Sequence, residues 1–304
     1  MSSFTLSSSP PVPVALTSDL SQTQLLSFPA FKTWLSTLQQ TLSLQRLDKS
    51  HTFHSVPYTL RSIDIQSVDF FGEDRIGFIK LKADVSNDHG ERLPGSIFLR
   101  GGSVGMMVIL STGPMTAHNH SEYLSVQVVL QPDDAPSSSE IDKHILLTLQ
   151  PRVPAGSLSF AELPAGMLDD SGTFAGAAAR EIKEETGLEI PQSELTNLTS
   201  LAIPATKSDI AEDLQRGVYP SPGGCDEYVP IFLHQRRVPR EQLKEWQGKL
   251  TGLRAEGEKI TLKIVRLNEA WKVGARDAKV LSGWALYEGL RKEGKLGGLE
   301  RSMA

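Results

Sequence analysis

The sequence predicts an α/β fold of the α+β kind: a sandwich of helices around a mixed sheet, preceded by a small antiparallel β domain. Three observations carry this. Between 58 and 99, apolar and polar residues alternate in LRSIDIQSVDFF, IGFIKLKADV and SIFLR, separated by Gly-Glu-Asp and Asn-Asp-His-Gly, which reads as strands joined by turns. Beyond 101, strand-sized apolar runs flank a strongly helix-forming stretch at 174–187. The chain then closes on two helical patterns, near 269–273 and 277–292.

The first 27 residues are rich in Ser and Pro and poor in charge, so a disordered tail is expected over 1–27. They lack the basic start of a secretory signal and the arginines of a transit peptide, which makes the cytosol the expected compartment, with organellar import left open. Over 28–46, Phe31, Trp34, Leu35, Leu38, Leu42 and Leu44 recur at near-helical spacing, predicting a helix. Three strands follow over 58–99, and Gly101-Gly102 leads into another at 104–110. The Ser-, Pro- and Asp-rich stretch 111–142 reads as an insert around one strand-like run at 124–130. A strand at 145–153 feeds the helical stretch, and strands are expected at 195–203, 228–234 and 260–267. The expected organisation is therefore a tail, 1–27; a helix and antiparallel sheet, 28–100; a main domain, 101–296; and a tail, 297–304.

Composition excludes several classes. At 304 residues there is room for one large domain or two small ones. The balance of 31 basic and 36 acidic residues, net −5, offers no electrostatic case for a nucleic-acid partner. Cys225 is the single cysteine, which rules out an intrachain disulfide framework and suits a reducing compartment. The apolar runs fall far below the roughly 20 residues a membrane span needs.

Chemistry concentrates in GMLDDSGTFAGAAAREIKEETGL, from Gly166 to Leu188. Thr173 is a natural N-cap, the Ala-rich run favours helix, and Gly187 is a C-terminal stop. Glu181 and Glu185 then stand one turn apart, with Glu184 beside them. They crowd the C-terminal end, where the macrodipole already disfavours negative charge. Two unit charges about 4 Å apart repel by roughly 4 kcal/mol at an effective dielectric of about 20. A hard divalent cation with oxygen ligands offsets this while keeping an open coordination position, which Arg180 and Lys183 cannot do. For a generic acidic run, a solvated helix with i,i+4 salt bridges is the competing reading.

The surroundings decide between these. The stretch resembles the signature of the Nudix hydrolases: Gly, five residues, Glu, seven residues, then Arg-Glu-aliphatic-any-Glu-Glu-any-Gly-aliphatic. Gly166, Arg180, Glu181, Ile182, Glu184, Glu185, Gly187 and Leu188 match, and Gly172 departs from the usual Glu, with Asp169 and Asp170 as candidate substitutes. From about 60 to 296 the chain is similar to the ADP-sugar diphosphatase branch, including plant ADP-glucose pyrophosphatases and ADP-ribose pyrophosphatases. The similar stretches are SVDFFG, GFIKLKADV, FLRGGSVGM, ELPAGMLDD, YPSPGGCDE, QGKLTGLRAEGE and RDAKVLSGWALYEGLRKEG, and Pro204 lies where a subclass marker is expected, sixteen residues after Leu188.

The resemblance implies a Nudix α/β/α sandwich that hydrolyses ADP-sugars with Mg2+, or Mn2+ as an alternative. It implies a small-molecule nucleotide-sugar substrate and a homodimer formed by exchanged N-terminal strands. Glu181 and Glu185 are the expected metal ligands, with Glu184 a third or water-mediated one, joined by the Ala165 carbonyl. The base is expected on the 254–258 loop as Glu256 or Glu258, the other helping to hold metal; Asp226 and Glu227 are rivals. Arg152 is expected on the diphosphate or nucleotide, and Glu162 on a ribose hydroxyl or bracing its loop. Gly166 would let a phosphate approach its N–H, and Gly223 and Gly224 would shape a sugar or terminal-phosphate pocket. An adenine needs a flat partner, for which Arg100, Phe70, Phe71 and Phe98 are candidates. His118, His120 and His144 show no metal-ligand spacing. The competing functions are a housekeeping ADP-ribose pyrophosphatase and a non-catalytic nucleotide-sensing module, which the loss at Gly172 would suit.

Overall fold

A computed structural model describes residues 2–72, 74–112, 143–168, 173–203, 211–253 and 257–296. The chain divides into two compact units, Met1–Gly102 with Pro204–Tyr228, and Ser103–Ile203 with Val229–Ala304. The described stretch 211–228, expected within the main domain, thus belongs to the first unit.

In the first unit, β1 (Ser3–Leu6) and β2 (Val12–Ala15) form a hairpin, followed by α1 (Gln22–Ser27) and α2 (Pro29–Leu47). β3 (Thr59–Phe71) and β4 (Arg75–Ser86) make a long antiparallel pair, and β5 (Arg92–Leu93) and β6 (Ser96–Leu99) both add to β4. The sheet is antiparallel except where β2 joins β3, with Val14 opposite Ile63. Ser21 and Gln24 form a reciprocal capping box at α1, and Pro29 occupies the first turn of α2, where its missing N–H is no loss. The predicted stripe of α2, Phe31, Trp34, Leu35, Leu38 and Leu42, packs on the sheet with Val12, Val14, Leu25, Ile63, Ile79 and Leu81.

The expected disorder of 1–27 is corrected here. Val12, Val14, Leu16, Leu20 and Leu25 are buried while Pro13 is exposed, so a four-residue strand alternates inside a composition that reads as unstructured. Short strands contribute too little periodicity to outweigh the surrounding Ser and Pro. Leu25→Ala should lower stability by about 2–5 kcal/mol. Urea titration followed by circular dichroism reads this directly; an unchanged midpoint would mean that this segment does not belong to the core.

The second unit holds β7 (Ser103–Ser111), β8 (Lys143–Arg152), β9 (Ser157–Glu162), β10 (Ala165–Met167), α3 (Phe174–Thr186), β11 (Thr196–Asn197) and α4 (Leu198–Ala202). It continues through β12 (Ile231–Arg237), α5 (Arg240–Trp246), β13 (Leu250–Thr251), β14 (Ile260–Arg266), α6 (Ala270–Val273) and α7 (Ala278–Lys292). The strand order is β11-β12-β7-β8-β14-β13, with β10 on β7 and β9 on β8. Among the described residues only β12 and β7 run parallel, so the sheet is mixed. Every residue of β7 is buried, as expected of a strand covered on both faces. Val104, Met106, Val108 and Leu110 pack with Ala177, Ala178 and Ile182 of α3, while Gly105 and Met107 face Lys279 and Gly283 of α7. That alternation produces the predicted sandwich.

Three local expectations change. The strand expected over 195–203 is only Thr196–Asn197, because the Asn197 side chain accepts from Ser200 N at 2.9 Å and starts α4. The strand expected at 228–234 runs Ile231–Arg237; it begins after Pro230, which has no N–H to give a ladder. The short β9 and β10 and the helix α5 were not anticipated. Of the insert, the run 124–130 lies outside the described residues.

Candidate active site

Local sequence sets the helix at the centre of the site. Thr173 Oγ1 accepts from Gly176 N at 3.1 Å, and Gly187 closes the other end at φ 76°, a left-handed conformation natural to glycine. Ala177, Ala178 and Ile182 bury one face, which turns Glu185 inward until it is only 5% exposed. Glu181 is half-buried, whereas Glu184 and Arg180 are exposed. The antiparallel pairing of β10 with β7 sets Ala165 opposite Gly105 and brings the strand to α3. Ala165 N donates to Glu185 Oε2 at 3.1 Å, and Gln150 Nε2 reaches Glu185 Oε1 at 3.4 Å. The Glu181 carboxyl lies so close over Gly166 that a Cβ there would fall on it. Gly166 is thus required by the carboxylate itself, a reason beyond the phosphate approach expected from the sequence.

The Glu185 carboxyl is pushed up to about 8 from its ordinary 4.5 by burial first, then by Glu162 and Glu181, against the opposing bonds from Gln150 and Ala165 N–H. One pKa unit corresponds to about 1.4 kcal/mol, so ionising Glu185 beside these neighbours is unfavourable unless a cation arrives. An all-oxygen donor set with repelling carboxylates fits a hard divalent ion. Among the described residues no three acidic, His or Cys side chains form a ready-made cage, which suits an ion that keeps waters and substrate oxygens as ligands.

A pH dependence follows. Between about 4.5 and about 8 the folded carboxyl holds a proton that the unfolded chain has released, so stability without metal should fall as pH rises through that window. A cation binds the ionised form, so the thermal shift given by Mg2+ should grow from pH 5.5 to pH 8. Differential scanning fluorimetry across that range tests both trends, and a Mg2+ shift independent of pH would contradict them.

Beside this patch, Arg152 ends β8 and Glu162 ends β9. Arg152 Nε donates to Glu162 Oε1 at 2.7 Å, and Lys279 Nζ reaches Glu162 Oε2 at 3.0 Å. Burial alone would lower the Arg152 guanidinium, but Glu162, with Glu185 and Asp277, more than offsets it and the net displacement is upward. Both Glu162 oxygens are therefore engaged by cations. Gln150, Asp277 and Lys279 were missed in the sequence. A signal existed: Lys279 stands in the first turn of a helix, where the dipole disfavours a cation.

Glu258 is exposed beyond β13, which packs on α3, and its Oε2 accepts from Leu253 N at 3.1 Å. Glu256, Asp169, Asp170, Gly172, Pro204, His118 and His120 lie outside the described residues, and His144 ends up on β8. In the first unit, Arg100 Nη1 pairs with Glu227 at 3.1 Å, and Asp226 accepts from Arg100 N at 2.8 Å and Gly101 N at 3.1 Å. Both rival bases are thus engaged by Arg100 and the Gly101 N–H. Phe98 N donates to Gly224 O at 2.8 Å, extending β6 with the 221–225 loop. Gly223 and Gly224 have open space at Cβ and no left-handed φ, so neither position requires glycine for the fold. Phe71, Phe78 and Phe98 form a ring cluster with centroids 5.1 and 5.2 Å apart.

A mixed sheet between helices, with the acidic end of one helix locked against a glycine-bearing strand, is the arrangement expected of a Nudix hydrolase. Residues 136–283 match the family model of the NUDIX domain. Over 299 residues the chain is 35% identical to Nudix hydrolase 14, chloroplastic, of Arabidopsis thaliana, covering 96% of this chain and 82% of that protein. A solved structure titled a crystal structure of ADP compounds hydrolase aligns with a TM-score of 0.41 at 17% identity, over 78% of this chain and 99% of that one. The chain belongs to the Nudix family, hydrolases of phosphoric anhydrides.

Proposed function

We propose that this protein is a metal-dependent diphosphatase of ADP-sugars, converting ADP-glucose or ADP-ribose and water into AMP and a sugar phosphate. The observation that carries this reading is the buried Glu185 carboxyl, held by Ala165 N–H and raised by Glu162 and Glu181. Glu181, Glu185, the Ala165 carbonyl and, directly or through water, Glu184 would hold Mg2+ or Mn2+, with Glu258 a further ligand. When bound, the ion neutralises diphosphate charge, lowers the pKa of water and stabilises the leaving oxygen.

The chain's own residues supply the rest. Arg152 binds a phosphate oxygen through its guanidinium, which matches phosphate geometry. Gly166, having no side chain, would let a phosphate oxygen approach its N–H. Glu256 or Glu258 takes the proton of the attacking water. The water oxygen bonds to one phosphorus, the bridging P–O bond breaks, and the bridging oxygen leaves on the departing phosphate. Glu162 braces Arg152. Arg100, Gly223 and Gly224 are assigned to the nucleotide or the sugar end. A homodimer and a cytosolic location, with organellar import as the alternative, complete the reading. No helix among the described residues is long and apolar enough to cross a membrane.

The test is a panel of ADP-glucose, ADP-ribose, UDP-glucose, NADH and diadenosine polyphosphates with Mg2+, products identified by mass. AMP with glucose 1-phosphate or ribose 5-phosphate is expected, and only with a divalent ion. No AMP from either ADP-sugar, with Mg2+ or Mn2+, would refute the proposal.

A further inference from the structure

We propose that Lys279 is a positioning residue for hydrolysis: from the first turn of α7 it holds the Glu162 carboxylate in the orientation that locks Arg152 for the diphosphate. This rests on the function proposed above. Lys279 is an unexpected residue where it stands. It is the second residue of α7, where the helix dipole disfavours a cation, and its side chain is only 16% exposed. A buried ammonium is tolerated only when paired and hydrogen-bonded.

Its partners are two deeply buried carboxylates, Glu162 at 3.0 Å and Asp277 at 3.0 Å, 2% and 5% exposed. Asp277 also caps α7 through Lys279 N at 3.1 Å and accepts from Leu163 N at 3.0 Å. It therefore ties the start of the helix to the residue that follows Glu162. The other Glu162 oxygen accepts from Arg152 Nε at 2.7 Å. The result is a relay, Asp277–Lys279–Glu162–Arg152, that runs from a helix start to a strand end. A planar guanidinium fixed through Nε has its remaining donors fixed in direction. Two cations face two carboxylates, so the relay is neutral only while Lys279 is present. The lysine stem passes Gly105, which pairs with Ala165 of the metal-binding strand.

The experiment is steady-state hydrolysis of ADP-ribose and ADP-glucose with Mg2+ by the full chain and by Lys279→Met, Lys279→Arg, Arg152→Ala and the Lys279→Met/Arg152→Ala pair. Lys279→Met should lower kcat/KM by about 10–100-fold, the loss typical of partners that orient a direct ligand. In the Arg152→Ala background the same change should cost no more than roughly twofold, since residues acting through one another are not additive. Lys279→Arg should recover most of the loss. If Lys279→Met does not fold, Glu162→Gln takes its place in the same cycle, keeping the shape while weakening the hold on Arg152. Equal losses in both backgrounds, or an unchanged kcat/KM for Lys279→Met, would overturn the role of Lys279 alone. Absence of AMP release by the unaltered protein would overturn the reading of the site as well.

Discussion

Glu185→Gln should abolish more than about a hundredfold of Mg2+-dependent turnover while leaving the protein folded. Even residues that only orient a metal ligand are worth about 10–100-fold, and Glu185 is assigned as a ligand itself. The fold should survive because the carboxyl is already protonated at neutral pH, pushed up to about 8 by burial, Glu162 and Glu181. A neutral amide of the same shape replaces a neutral acid, and its oxygen can still accept from Ala165 N–H. Stability without metal should therefore match the parent near pH 4, where the carboxyl is protonated in both folded and unfolded chains, and exceed it increasingly as pH rises from about 4.5 to about 8, levelling off above that. The Mg2+ thermal shift should shrink at the same time. Retained turnover within tenfold, together with an undiminished Mg2+ shift, would remove Glu185 from the metal site.

Gly166→Ala is the second large effect, and it is steric. The added methyl would land on the Glu181 carboxyl, forcing the side chain or β10 to move. Overpacking of this kind costs about 1–3 kcal/mol, and a displacement near 1 Å in a reacting site can cost about a hundredfold in rate. Gly166 has no left-handed φ, so backbone strain contributes nothing and the whole effect is carried by the contact. Gly289→Ala is the matched control, being exposed in α7 with nothing within 4 Å of the new methyl. It should leave turnover unchanged and stabilise the helix slightly. If Gly166→Ala kept full kcat and Mg2+ affinity, the close approach of Glu181 to β10 would have no functional weight.

Legibility followed the range of each interaction. The long strands β3, β4 and β7 and the helices α2, α3 and α7 could be read because each repeats its pattern over many residues. The strands β1 and β2 and the helix α4 were misread: their signals span only four or five residues and are outweighed by Ser and Pro around β2 or rewritten by one Asn cap. Among site residues, Glu181, Glu184 and Glu185 were legible as a helical triplet, yet nothing in that spacing says which is buried. The packing of Ala177, Ala178 and Ile182 against β7 decides it, sending Glu185 inward and leaving Glu184 in solvent. Asp226 and Glu227 are named in the sequence only as rivals to a base on the 254–258 loop, and their bonds to Arg100 and Gly101 could not be read from it.

By itself, then, the sequence determined the caps and length of α3, the one-turn spacing of its carboxylates and the alternation that builds the sheets, because hydrogen bonds and side-chain periods a few residues apart govern all three. Tertiary structure alone decided the partners: Gly166 beneath Glu181, Ala165 against Glu185, and Lys279 on Glu162 across 117 residues of chain. Such contacts have no characteristic spacing. They exist only after the sheet has closed and its burial has made every unpaired charge too unfavourable to leave alone.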